Sequence, residues 1–311
     1  MHFVKFHGYG NDYIVCEADE LARFAGRDDV AEFVRRVCDR HYGVGGDGVA
    51  TLARVSVDDA ASRVVTEKDA VSVVEAGSSG AADFVLRIFN PDGSEAAMSG
   101  NGSRSAAAFL YFQNLWSAGE LRLATRAGVK LYRLLEQDGR GRFRFAAEIG
   151  RPAFDSASIP LLTGEAREQV SNFPLELESG EVLPVTALQM CNPNTCLFVD
   201  DFAGVDWRRL GRAVEAHPQF PERTNVEFIR VRDRRTIEVR VYERGVGPTL
   251  SSGTGACAAA VASCLNGHTD RRVRVEMEGG RLEVHWRDDG EVVLTGEAEV
   301  IYRGEWLKEK R

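Results

Sequence analysis

The chain has 311 residues, enough for two ordinary domains each with a core of its own. Hydrophobic residues make up 44% and charged residues 28%, the balance of a soluble globular protein. A net charge of -8 with no basic block argues against nucleic acid and anionic membranes as partners. Nor does any apolar run reach the ~20 residues of a membrane span. The opening MHFVKFHGYG lacks a signal-peptide core, so cytoplasmic residence is expected.

Short strand-like runs dominate the chain. HFVKFH and DYIVCEA come first, followed by helical spacing from Asp28 to Asp39 and the strand-like VATLARV. The stretch from Arg54 to Ala82 carries no nameable chemistry and reads as an elaborated hairpin or surface insertion. VLRIFN is a strand, Ser103 to Asn114 a small-residue helix, and VKLYRLL and RFRFAAEIG are strands. Gly150-Arg151-Pro152 then breaks the pattern. Beyond it come TCLFVDD, a helix within DWRRLGRAVEAHP ended by Pro218, NVEFIRV and TIEVRVYE. A second small-residue helix, Gly255 to Asn266, is followed by VRVEME, RLEVHW and EVVLTGEAEVIYRG. Few helices among many alternating strands give an α+β fold. Two domains are expected: residues 1–148, completed by the C-terminal strand at about 299–311, and residues 149–298.

Six cysteines (Cys16, Cys38, Cys191, Cys196, Cys257 and Cys264) form no C-x-x-C, and the six histidines form no H-x-x-x-H. Free thiols and no bound metal are therefore expected. GVGGDG matches G-x-G-x-x-G, but a helix-like run precedes it and a strand follows, the reverse of a dinucleotide site. His7 and His41 are read as local packing and hydrogen-bonding residues.

An internal repeat carries more information. Laid over Val241–Val261 without a gap, Ile88–Ala108 places Phe89 on Tyr242, Asn90 on Glu243 and Ser99-Gly100-Asn101-Gly102 on Ser252-Gly253-Thr254-Gly255. Each copy is an aromatic-ended strand, a short approach, a Ser-Gly-x-Gly turn and a small-residue helix. Glycines leave the helix N-terminal N–H groups unobstructed, and the helix dipole favours an anion there. Two such termini on one cleft would hold a carboxylate from both sides, with Ser99 and Ser252 flanking the adjoining atom. Serine is also a common N-cap, and capping alone accounts for either turn taken singly.

At these residues the chain resembles the diaminopimelate epimerases. The likeness runs through FHGYGNDYIV, DRHYGVGGDGV, FNPDGSEAAMSGNGSR, CNPNTCLFVDD, RTNVEF and ERGVGPTLSSGTGACAAA, in that order. The resemblance implies two similar domains, each a curved sheet around a central helix, with the active site between them. It implies a cofactor-independent isomerase of amino acids, serving lysine biosynthesis by interconverting LL- and meso-2,6-diaminopimelate through two-base proton transfer. A homodimer is common in that family. By position, Asn11, Asn90, Asn192, Asn225 and Arg244 would hold the distal amino-acid group. Gly100-Asn101 and Gly253-Thr254 would grip the reacting carboxylate, Glu243 would assist the proton shuttle, and Asp47 and Gly48 would border the pocket.

The family's two acid/base residues are cysteines. Here both are serines, Ser99 and Ser252, and the family's Gly-Asn-Pro-His is Cys191-Asn192-Pro193-Asn194. A thiol near a helix N-terminus titrates at roughly 3.5–7.5, whereas a hydroxyl needs a neighbouring base. Cys257 lies beyond the first helical turn and reads as a small buried hydrophobe. Three explanations of the serine pair stay open at this level: a reorganised shuttle, engineered replacement, or drift toward a related racemase or isomerase or to amino-acid binding alone.

Overall fold

The computed structural model describes residues 1–25, 29–55 and 82–307, so most of the segment read as a hairpin or insertion lies outside the described residues. The chain divides into two compact units, residues 1–147 with 296–311, and residues 148–295.

The first unit contains β1 (His2–Gly8), β2 (Asn11–Glu17), α1 (Ala18–Ala25), α2 (Val30–Cys38), β3 (Gly48–Arg54), β4 (Phe84–Phe89), β5 (Glu95–Ala96), α3 (Gly100–Phe112), β6 (Glu120–Thr125), β7 (Gly128–Gln137) and most of β8 (Arg142–Gly150). β1 pairs antiparallel with β2, β2 parallel with β3, and β3 antiparallel with β4. β4 then pairs parallel with β6, and β6, β7 and β8 form a meander. α3 packs against β1, β2, β3 and β4, and every residue from Gly100 to Tyr111 is buried. A helix covered on all sides needs small side chains, which Ala106–Ala108 supply.

The second unit contains β9 (Val170–Glu176), β10 (Val182–Gln189), β11 (Pro193–Phe198), α4 (Trp207–Glu215), β12 (Asn225–Asp233), β13 (Thr236–Glu243), β14 (Gly247–Thr249), α5 (Gly253–Leu265), β15 (Arg272–Met277), β16 (Gly280–Trp286) and the first part of β17 (Val292–Glu305). Its pairings repeat those of the first unit in kind and order. β10–β11 is antiparallel, β11–β12 parallel, β12–β13 antiparallel, β13–β15 parallel, and β15, β16 and β17 form a meander. α5 packs against β10, β11, β12, β13, β15 and β16, and is buried from Gly253 to Ser263. α4 lays Trp207, Leu210 and Val214 on a cluster with Phe220, Phe228 and Tyr242.

The two units are thus pseudo-symmetric copies. The repeat extends past the motif, for α3 and α5 end alike. Asn114 and Gly267 leave the helix with φ of 58° and 75°. The next residues, Leu115 and His268, donate back to Leu110 O and Ser263 O at 2.8 and 2.9 Å. This is a left-handed C-terminal cap in both copies.

Local expectations differ from the structure in three places. α3 and α5 begin at Gly100 and Gly253, earlier than the small-residue runs suggest, because the serine caps draw the glycine turns into the helix. α1 runs on from the strand DYIVCEA, in a stretch for which the sequence suggested no helix. β9 and β10 each contain a proline, Pro174 and Pro184, and the two face each other. In an antiparallel ladder, directly opposed residues either exchange both hydrogen bonds or neither, so opposed prolines occupy a pair that needs no N–H. Among the described residues, no helix is long and apolar enough to cross a membrane.

Candidate active site

The serines of the repeat occupy equivalent backbone positions. Ser99 caps α3 with φ, ψ of -137°, 124°, and Ser252 caps α5 with -132°, 126°. Each Oγ accepts from the third helical amide, Gly102 N at 3.1 Å and Gly255 N at 3.2 Å. The first turn of a helix has no intrahelical acceptors for its amides, so this cap leaves the N–H groups of Gly100-Asn101 and Gly253-Thr254 as donors for an anion. The third position is glycine for steric reasons. A Cβ on Gly102 would come within 2.9 Å of Tyr13 Cε1, and one on Gly255 within 2.9 Å of Glu227 Oε1.

Around α3, the Tyr13 hydroxyl donates to Ser99 Oγ at 2.8 Å. With Gly102 N also donating, both lone pairs of that hydroxyl are occupied, and its own proton is what Ser99 has to offer. The Ser99 carbonyl accepts from Ser103 Oγ at 2.5 Å, and the Tyr132 hydroxyl donates to Ser103 Oγ at 2.6 Å. The Asn101 side chain is engaged by Arg104, which is 2% exposed and also donates from Nε to Glu297 O at 2.9 Å. Arg104 stacks over Tyr9, whose hydroxyl accepts from Glu297 N at 2.9 Å.

Asn11 opens β2 and donates to Asp47 Oδ2 at 2.8 Å. Asp47 belongs to a charged cluster in which Asp12 pairs with Lys5 at 2.7 Å and with Arg40 at 2.8 Å. Burial pushes Asp12 up, but hydrogen bonds from Arg40 and Lys5 outweigh it and hold the carboxyl down at about 2. Asp47 is shifted up, chiefly by burial. Asn90 stands apart from this cluster, in a turn where its side chain donates to Ser94 Oγ at 3.0 Å.

The second unit brings its site residues together more tightly. Asn225 opens β12; its Oδ1 accepts from Arg244 N at 2.9 Å and its Nδ2 donates to Asn194 Oδ1 at 3.3 Å. Asn194 in turn donates to Asn192 O at 2.7 Å and Asn192 Oδ1 at 3.0 Å. Arg244 donates from Nη1 to Glu222 O at 2.9 Å. Glu243 closes β13 and accepts from Thr249 Oγ1 at 2.5 Å. Asn192, Asn194, Asn225 and Arg244 therefore form one chain of hydrogen bonds, while Glu243 is held through β14.

Glu227 lies beneath the α5 cap, fully buried, with no partner for Oε1 among the described residues. Its Oε2 accepts a long hydrogen bond from Cys196 Sγ at 3.8 Å. Burial, and after it repulsion from Glu243, raises this carboxyl well above the ordinary range. Burial likewise raises the Cys196 thiol.

Tyr13, Arg104 and Glu227 all lie inside recognised motifs, yet sequence reasoning gave them no role. In NVEFI, alternation would put Glu227 on a wet face, but all five residues are buried, so periodicity held no signal. Among the described residues, no three of His, Cys, Asp and Glu converge as a metal-binding set.

The family model for diaminopimelate epimerase matches residues 3–152 and 186–301. The diaminopimelate epimerase of Pelotomaculum thermopropionicum is 40% identical over 306 residues, covering 98% of this chain and 99% of that one. The enzyme of Heliobacterium modesticaldum is 38% identical over 309 residues, with 98% and 99% covered. The fold is shared with a probable proline racemase from Agrobacterium radiobacter K84, 15% identical with a TM-score of 0.65, covering 99% of this chain and 93% of that one. It is shared too with a PhzF-family phenazine biosynthesis protein from Bacillus anthracis, 15% identical with a TM-score of 0.62 and 99% of each chain covered. The match in sequence over nearly the full length, joined to the duplicated fold, makes this chain an isomerase of the diaminopimelate epimerase family.

Proposed function

We propose that the protein interconverts LL- and meso-2,6-diaminopimelate by exchanging the proton at one α-carbon, with Ser99 and Ser252 in the two base positions. The observation that carries this reading is the matched pair of caps, whose backbone angles differ by only 5° in φ and 2° in ψ. Amides of Gly100-Asn101 and Gly253-Thr254 would hold the substrate carboxylate and spread the negative charge that develops when the α-proton leaves. Asn11, Asn90, Asn192, Asn225 and Arg244 would receive the distal amino-acid group, and Glu243 would assist the shuttle.

The hydrogen bonds around the two hydroxyls suit different steps. Ser99 Oγ already accepts twice, from Gly102 N and Tyr13, so it is set to donate a proton. Ser252 Oγ accepts only from Gly255 N among the described residues, which leaves a lone pair for an incoming proton. In this scheme the Cα–H proton passes to Ser252 on one face as the hydroxyl's own proton leaves to a neighbouring carboxylate. The electron pair enters the substrate carboxylate. Ser99 then protonates Cα from the other face and is recharged through Tyr13 from solvent.

The competing reading is an amino-acid-binding protein without turnover, favoured by the fact that both hydroxyls already serve as caps. Incubation with LL-diaminopimelate in D2O separates the two. Deuterium at the α-carbon with formation of the meso isomer is the expected result. Ligand-induced stabilisation without exchange establishes the binder instead.

A further inference from the structure

We propose that Glu227 is a positioning residue for Ser252, exchanging a proton with its hydroxyl as that hydroxyl works on the substrate; this rests on the epimerase reading above. Glu227 and Ser252 meet at the first turn of α5. The point where a Gly255 Cβ would begin is 2.9 Å from Glu227 Oε1 and 3.2 Å from Ser252 Oγ. Oε1 has no hydrogen-bond partner among the described residues. Ser252 is 6% exposed, and no described residue accepts its hydroxyl proton. A buried acceptor without a donor and a hydroxyl without an acceptor thus face each other across one glycine.

The other unit shows that this carboxyl is not required by the fold. Val49 pairs with Phe89 and Val226 with Tyr242, so the position after each, Ala50 and Glu227, is equivalent. An alanine suffices in the first unit. There the space beside the third helical residue is filled by Tyr13, which bonds the serine directly. The register that pairs Tyr13 with Gly48 pairs Asn194 with Asn225, so Asn194 is the counterpart of Tyr13. Asn194 turns instead to Asn192 and Asn225. Ser252 therefore receives nothing from β11, and β12 supplies Glu227.

The step balances without another reactant. As the Cα–H bond breaks, its proton moves to Ser252 Oγ, the hydroxyl's own proton moves to the Glu227 carboxylate, and the electron pair stays with the substrate. In the reverse direction Glu227, as the neutral acid, returns the proton to Ser252 while Ser252 protonates Cα. The ionisable groups around Glu227 are Cys196 on β11 and Glu243 on β13. The residues of α5 include the thiols Cys257 and Cys264 but no charged side chain. Burial, and after it Glu243, favours the protonated acid, the form in which Glu227 can return a proton to Ser252.

The test is α-hydrogen exchange, measured from LL- and from meso-diaminopimelate across pH, for wild type, Glu227→Gln and Glu227→Asp. The expected result for Glu227→Gln is a kcat at least ~100-fold lower with KM within about threefold, and loss of one limb of the pH profile. Glu227→Asp restores part of kcat and keeps the limb. A Glu227→Gln protein with wild-type kcat and both limbs overturns the role of Glu227 and leaves the epimerase reading standing. No exchange by wild type from either isomer overturns both. Should Glu227→Gln fail to fold, Cys196→Ala carries the test. Without the thiol donor to Oε2 the carboxyl ionises at higher pH and the limb moves up with it; an unmoved limb overturns the proposal.

Discussion

Replacing Gly255 by alanine tests the close approach beneath the α5 cap. Inside a helix, Gly→Ala normally stabilises by about 1 kcal/mol, because alanine loses less backbone freedom. Here the new methyl would sit 2.9 Å from Glu227 Oε1, 3.1 Å from Ser252 Cβ and 3.2 Å from Ser252 Oγ. Contacts that short force Glu227 or the cap to move, and overpacking of this kind costs about 1–3 kcal/mol. Displacing a buried carboxyl from its hydrogen bond with Cys196 adds to that cost. The packing penalty exceeds the propensity gain, so a net loss of about 1–2 kcal/mol is expected, equivalent to roughly 2–8 °C in Tm for a unit of this size. Gly204 is the control, since a Cβ there meets nothing within 4 Å. Gly204→Ala should fall within about 0.5 kcal/mol of wild type. The assay is thermal and urea unfolding of the three proteins, followed by circular dichroism. A Gly255→Ala protein as stable as wild type would refute the placement of Glu227 against the turn.

Restoring thiols at both caps, Ser99→Cys with Ser252→Cys, should raise the α-proton exchange rate at neutral pH by about 100-fold or more, because a helix N-terminus favours the thiolate. An unchanged rate in D2O would remove both positions from the proton path. Tyr13→Phe deletes one hydrogen bond into Ser99 and should lower kcat about 3–10-fold with KM within twofold, read by the same assay; an unaltered kcat would exclude Tyr13. Asp12, held at about 2 against an ordinary 3.8, contributes stability that is present above pH ~4 and is lost as pH falls toward 2, about 2 kcal/mol in all. Asp47 is shifted the other way, so its contribution has the opposite sign and weakens as pH rises. Urea midpoints between pH 2 and 5 should therefore fall less steeply on acidification for Asp12→Asn than for wild type, and equal slopes would refute this account of the Lys5–Asp12–Arg40 cluster.

The backbone of the site was legible in the sequence because glycine and serine act there through local rules. Ser-Gly-x-Gly before small residues specifies a capped helix whatever lies around it, and both caps are present at the positions the repeat assigns. Side-chain partners were not legible in that way. Tyr13 reaches Ser99 across 86 positions, and Glu227 reaches the Gly255 turn from a strand buried on both faces, where alternation says nothing. Strands containing proline were missed for a related reason. Whether Pro174 and Pro184 break a strand depends on what stands opposite, which a single strand's sequence does not record.

Duplication preserved the cradle and let its lining diverge, and the chemistry of hydroxyls explains why that divergence matters. Two thiols can be tuned alike by their helix termini, so identical halves serve a thiol pair. Hydroxyls stay weak acids and weak bases at a helix terminus, and each needs a partner suited to its own step. Around Ser99, Tyr13 fills the second lone pair and leaves a proton to give. Around Ser252, the residue equivalent to Tyr13 is drawn away to Asn192, and a carboxyl stands where the first unit has Ala50. The same divergence runs along the helices, where Arg104 anchors Asn101 while its counterpart Cys257 contributes no cation beside Thr254. The differences between the units include the side chains closest to the serines, while the caps themselves are kept within a few degrees. Serines serving as caps alone would need neither Tyr13 nor Glu227, whereas the two unequal proton-transfer roles proposed above would use both.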